Sequence, residues 1–126
     1  MPLVQLNHIT VRTDDLEGTR DFYRDALGLT VGPRPALSFP GYWLYCGNDP
    51  VIHLVPQSNA TGGGSSPDTG SFDHVAFVAA DFEAMRERFK SLGVKFREQE
   101  IPSARLRQLF LQDPNKVMVE LNFPAA

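Results

Sequence analysis

The chain has 126 residues, 42% hydrophobic and 21% charged, the proportions of an ordinary globular protein large enough to bury a core. A net charge of −3 and the lack of a Lys/Arg cluster argue against non-specific nucleic-acid binding. The single cysteine, Cys46, excludes an intramolecular disulfide and fits a reducing compartment. No apolar run approaches the roughly 20 residues needed to span a bilayer, and MPLVQLNHITV does not read as a signal peptide. The expectation is a cytoplasmic protein with neither membrane nor nucleic-acid partners.

In chain order, LNHITV around His8 reads as a first strand. A helical pattern follows, with Asp14 and Glu17 spaced as a capping box and Leu16, Phe22, Tyr23, Ala26 and Leu27 as its apolar face. Gly28 ends it. Extended segments are expected at Leu29–Val31, Tyr42–Cys46 and Val51–Val55, with a turn at Asn48, Asp49 and Pro50 between the last two. Residues 58–71, SNATGGGSSPDTGS, have the composition of a flexible linker. FDHVAF around His74 is the next strand, and Asp81 stands as an N-cap candidate before Phe82, Met85, Phe89 and Leu92. Gly93 closes that helix. Extended segments are expected at Val94–Gln99, Leu106–Gln112 and Val117–Asn122, with a turn at Asp113–Lys116.

The interval from His8 to Asp15 equals that from His74 to Asp81, and the two landmarks are offset by 66 positions, which marks an internal duplication. The plan is βαβββ twice, an α+β fold in one domain spanning 1–126. Module 1 covers about 3–57 and module 2 about 72–124.

Strand side chains alternate between faces. If Ile9/Val11 and Val75/Phe77 pack on the helices, His8 and His74 point to the open face, and Glu120 points away from Val119 and Leu121. His53 lies in VIHLV, 45 positions after His8, and Glu120 lies 46 after His74. Each half thus offers one polar residue from its first strand and one from its last. Three imidazoles and a carboxylate are the donor types of a metal site; the alternative is a set of hydrogen-bonded core residues.

NHITVRTDDLEGTRDFYRDALGL, FDHVAFVAADFEAMRERFKSLGV and LFLQDPNKVMVELNF resemble the vicinal oxygen chelate superfamily, which includes glyoxalase I, fosfomycin-resistance and bleomycin-resistance proteins, methylmalonyl-CoA epimerase and extradiol dioxygenases. The resemblance implies paired βαβββ modules curling into a cup-shaped, partly open mixed sheet around a divalent metal, and a homodimer acting on a small-molecule substrate. By position it implies His8, His74 and Glu120 as metal ligands. His53 then stands as acid/base or fourth ligand, and Glu120 doubles as a catalytic residue in one version. The quartet is similar to that of the extradiol dioxygenases, which implies Fe(II) and ring cleavage of a catechol-type compound. The alternatives are a glyoxalase- or epimerase-type lyase or isomerase using Mn, Ni or Zn, and a fosfomycin-resistance-like transferase or ligand-binding protein.

Tyr42 and Phe110 are candidates for an aromatic pocket wall. Arg107, with Arg105, is the candidate for a cationic pocket.

Overall fold

The computed structural model describes residues 5–57 and 72–125, so the expected linker at 58–71 lies outside the described residues. The chain divides into two compact units, Met1–Ser65 and Ser66–Ala126. Each holds a four-stranded mixed sheet and a helical segment.

In the first unit β1 is Ile9–Thr13, α1 Leu16–Asp21, β2 Thr30–Gly32, β3 Tyr42–Cys46 and β4 Asp49–Pro56. The strand order is β1-β4-β3-β2, with β1 parallel to β4 and the other pairs antiparallel. The parallel pair needs a long crossover, which the helix and the two intervening strands supply. Alternation follows the expected faces: Val11 and Thr13 are buried, as are Leu44, Ile52 and Leu54.

The N-cap of α1 is Asp15, not the expected Asp14: the Asp15 side chain accepts from Gly18 N–H at 2.9 Å, and Asp15 N–H donates to Thr13 Oγ1 at 3.0 Å. A Cβ at position 18 would collide with that carboxylate, so glycine is what lets the cap close. A buried Thr13–Thr19 hydroxyl contact at 2.9 Å ties strand to helix. The helix then widens into a π-helical turn over Phe22–Ala26, with Tyr23 fully buried. Leu29 N–H reaches back to the Tyr23 carbonyl, and Gly28 takes φ 76°. The expected turn at Asn48–Pro50 begins earlier. Gly47 has φ 63°, and Asp49 and Pro50 already belong to β4.

In the second unit β5 is His74–Val78, α2 Phe82–Leu92, β6 Arg97–Ile101, β7 Leu106–Gln112 and β8 Met118–Pro124, in the order β5-β8-β7-β6. Again the first and last strands are parallel. Its core is Leu109, Leu111, Val119, Leu121 and Phe123 against Phe82 and Phe89 of α2, with Phe82 and Phe123 edge-to-face at 5.2 Å. Gly93 at φ 71° ends α2, with Val94 N–H on the Phe89 carbonyl and Gly93 N–H on the Lys90 carbonyl, a Schellman closure. Asp81 occupies the N-cap position but does not cap with its side chain; it sits at φ 63° and makes no capping bond. Asp113 anchors the β7–β8 turn by accepting from the N–H groups of Asn115 and Val117.

Candidate functional site

The open face of the first unit is set by β1, β4 and β3. His8 stands just before β1. His53 pairs with Thr10 on one side and Trp43 on the other. Three rings therefore stack: His8 and His53 at 3.7 Å with planes 10° apart, and Trp43 and His53 at 4.0 Å and 11°. His8 Nδ1 is held at 2.6 Å by Asn7 Oδ1, so the nitrogen left for another partner is Nε2. His53 is the reverse: Nε2 meets the Pro50 carbonyl at 3.0 Å, leaving Nδ1. Burial lowers the His53 pKa below the usual imidazole value, and the charges of His8 and Arg34 add to the effect. The Pro50 hydrogen bond opposes it. The ring is thus biased to the neutral form.

The open face of the second unit carries the other pair. Parallel register sets Ala76 beside Glu120, and His74, two residues back on β5, reaches it diagonally with Nε2 at 3.5 Å from Glu120 Oε1. His74 Nδ1 is held by Asp73 Oδ2 at 2.7 Å. That hydrogen bond is the main cause of a raised His74 pKa, and the Glu120 charge adds to it. Glu120 Oε2 accepts from Asn122 Nδ2 at 2.8 Å, and Asn122 Oδ1 accepts from Gln108 Nε2 at 2.9 Å. Asn122 and its cross-strand partner Gln108 lie on the same face as Glu120, and Asp73, the residue before His74, holds the other end.

Both histidines that open a module are preceded by a residue whose side-chain oxygen holds Nδ1, Asn7 in one and Asp73 in the other. Ligating histidines usually have their second ring nitrogen held in this way. Two donors about 2.1 Å from one ion at a tetrahedral angle stand about 3.4 Å apart, close to the separation of His74 Nε2 and Glu120 Oε1. The donor set therefore fits a divalent ion. Among the described residues no group of three or more His, Cys, Asp or Glu stands together as a metal cluster; the candidates come as two pairs, one in each unit.

Two expected pocket residues lie on the other faces. Tyr42 points to α1: its hydroxyl donates to Glu17 at 3.2 Å and accepts from Arg20 at 3.0 Å. Alternation puts Trp43, not Tyr42, beside His53. Arg107 likewise turns to α2, lying 3.6 Å over the Phe82 ring and 3.5 Å from Glu83. With Arg105, Asp81 and Phe123 it lines a hollow of about 590 Å³ on that side. Phe110 does share the Glu120 face, since the two residues are paired across β7 and β8. Sequence reasoning missed the amide pair Asn122 and Gln108, although both follow the Glu120/Phe110 alternation.

A family model for the Glyoxalase/Bleomycin resistance protein/Dioxygenase superfamily matches residues 5–121. The chain is 25% identical to Glyoxylase I 4 of Arabidopsis thaliana, covering 94% of this chain and 70% of that protein. It is 27% identical to Glutathione transferase FosA of Serratia marcescens, covering 95% and 81%. Among solved structures, a lactoylglutathione lyase from Agrobacterium tumefaciens matches with a TM-score of 0.72 at 21% identity, over 98% of this chain and 96% of that one. FosX of Listeria monocytogenes, complexed with Mn(II) and 1S,2S-dihydroxypropylphosphonic acid, matches with a TM-score of 0.76 at 19% identity, over 98% and 94%. With a duplicated βαβββ plan and a family match over almost its whole length, the chain belongs to the Glyoxalase/Bleomycin resistance protein/Dioxygenase superfamily.

Proposed function

We propose that the chain is a divalent-metal-dependent enzyme acting on a small molecule that chelates through two adjacent oxygens, with His8, His74 and Glu120 as the protein ligands. The observation that carries this reading is the way the three side chains are held. Asn7 fixes His8 by Nδ1, Asp73 fixes His74 by Nδ1, and Asn122 fixes Glu120 by Oε2. Each keeps one donor atom for an ion. A bound divalent ion supplies Lewis acidity that polarises substrate oxygens.

His53 moves the proton in this scheme. Its ring is biased to the neutral form, and Nδ1 is the atom left to accept, because Nε2 faces Pro50. The flat stack with Trp43 and His8 holds the imidazole plane, and Trp43 shields one ring face from water.

The curated relatives, a glyoxylase and a glutathione transferase, favour a metal-assisted lyase, isomerase or transferase reaction over the Fe(II) ring cleavage expected from the sequence. Ring cleavage keeps one supporting observation: His53 is a site histidine whose Nε2 is turned to a backbone carbonyl, as an acid/base beside the metal would be.

Metal analysis of anaerobically purified protein, followed by O₂ uptake with a catechol panel, separates the readings. Bound Mn, Ni or Zn without O₂ uptake supports the lyase, isomerase or transferase branch; bound iron with ring-cleavage absorbance supports the dioxygenase. His74→Ala is expected to abolish stoichiometric binding, and a variant that keeps full metal content defeats the ligand assignment.

A further inference from the structure

Arg34 lies in the segment between β2 and β3, and it is held from several sides. Tyr45 lies across Gly32 and donates its hydroxyl to the Pro33 carbonyl, which fixes the backbone beside Arg34. Arg34 Nη2 donates to the Phe39 carbonyl at 3.2 Å, and the guanidinium sits 5.5 Å from the centre of the Phe39 ring. The group also fills the place that a side chain at position 41 would take, since a Cβ on Gly41 would stand 3.2 Å from Nη2 and 3.5 Å from Cζ. Gly41 immediately precedes β3, and by alternation position 41 faces the same way as Trp43 and Tyr45. Arg34 is thereby laid on the open face of the first unit, one step along from Trp43. Its charge bears on His53 there.

What this guanidinium lacks is a counter-charge. Arg20 and Arg24 pair with Asp21, Arg86 with Glu83 and Glu98, and Arg107 with Glu83. Arg34 is half-buried and has no carboxylate partner among the described residues. Its Nε is buried without a hydrogen-bond acceptor. A part-buried cation with a buried donor left without an acceptor is costly to maintain, and an oxyanion docking on the fork would offset that cost.

We infer that Arg34 is an anion-recognition residue on the open face of the first unit, taking the oxyanion group of a substrate whose two vicinal oxygens go to the proposed metal centre. That oxyanion is a carboxylate, phosphate or phosphonate. The assignment of the anion to a chelating substrate rests on the metal reading; the anion site itself does not. Glycine at 41 is part of the site, because a side chain there would displace the guanidinium and meet the Leu54 carbonyl.

The test is a titration of the metal-free 126-residue chain with inorganic phosphate and, separately, acetate. The readout is the emission of its one tryptophan, Trp43. Saturable binding is expected, and Arg34→Gln should weaken it roughly tenfold or more, the loss of a charge-assisted hydrogen bond. Arg34→Lys, which keeps the charge without the fork, should fall between. Arg88→Gln, an exposed position on α2, should bind as the unaltered chain does. Tighter phosphate than acetate assigns a phosphate or phosphonate substrate, and the reverse a carboxylate.

Arg34→Gln binding both anions like the unaltered chain, or no saturable response in the unaltered chain, overturns the inference. If circular dichroism shows Arg34→Gln misfolded, Arg34→Lys decides: full affinity for both anions is again the overturning result. Because the titration uses no metal, a failed metal assay with intact anion binding counts against the metal reading alone. Normal metal content in Arg34→Gln with lost anion binding supports the inference independently.

Discussion

Two imidazoles on different strands of the repeat, His53 on the last strand of the first unit and His74 on the first strand of the second, are driven in opposite directions by their neighbours. His53 is partly buried beside His8 and Arg34, so its pKa falls below the usual 6.5; His74 is held by Asp73 and faces Glu120, so its pKa rises above 6.5. In the metal-free protein, an NMR pH titration of the ring protons is expected to find His53 protonating below pH 6.5 and His74 above it. The linkage signs differ accordingly. His74 contributes stability that is fully present below pH 6.5 and is lost as pH rises through its raised folded value. His53 opposes folding as pH falls below 6.5, because the unfolded chain then takes up a proton that the folded ring resists, and that penalty is complete once pH is below its lowered folded value. Coincident midpoints for the two rings would contradict the environments described. Metal binding at His74 should in turn remove its titration from the observed range, since a ligated nitrogen cannot be protonated.

At the scale of elements, helix ends carry most of what local chemistry decides. Gly93 has φ 71°, and a Cβ there would meet nothing within 4 Å. A Gly93→Ala substitution therefore tests backbone strain alone, and should cost about 1–2 kcal/mol in urea unfolding with an unchanged m-value. A loss near zero would mean that α2 ends flexibly enough to avoid the left-handed turn. This glycine was legible from sequence because a single apolar stripe runs straight into it. The start of α1 was not: Asp14 and Asp15 are adjacent and equally suited by type, and the choice is made by Thr13 Oγ1 and by the missing Cβ of Gly18. At α2 the residue was read correctly and its role was not, because Asp81 enters the helix from the left-handed region instead of capping it. The faces of the strands followed from period-two alternation, which is why the placement of His8, His53, His74 and Glu120 on the open faces was legible. Tyr42 and Arg107 failed for a related reason. An aromatic or a long cation is at home on either side of a half-covered sheet, and only contacts with Glu17, Arg20, Phe82 and Glu83 show which side was taken. Arg34 was out of reach altogether, since the segment between β2 and β3 has no period to read.

For the whole molecule, duplication divides the candidate residues evenly, with His8 and His53 in one unit and His74 and Glu120 in the other. The two halves are alike in their sheet order and in the orientation of the opening histidine by its predecessor, but unlike in chemistry: one offers imidazoles and a stacked indole, the other an imidazole and a carboxylate with an amide relay. Neither pair alone makes the three-ligand set proposed for the ion, so metal content becomes a readout of how halves combine. Under the homodimer reading, His8→Ala and Glu120→Ala chains are each expected to bind no stoichiometric metal. Denaturing the two together and refolding them changes this if the ligands are contributed by different chains. Half of the dimers would then be mixed, each mixed dimer would regain one intact site of two, and metal binding would recover to about a quarter of the unaltered level. If one chain supplies all three ligands, mixing restores nothing, because every chain in the mixture still lacks one of them. The measurement is metal per chain after refolding, with co-refolded unaltered protein setting the upper bound. A null result with normal refolding of that control assigns the complete ligand set to a single chain and removes the homodimer from the proposed site, leaving His8, His74 and Glu120 as ligands within one molecule.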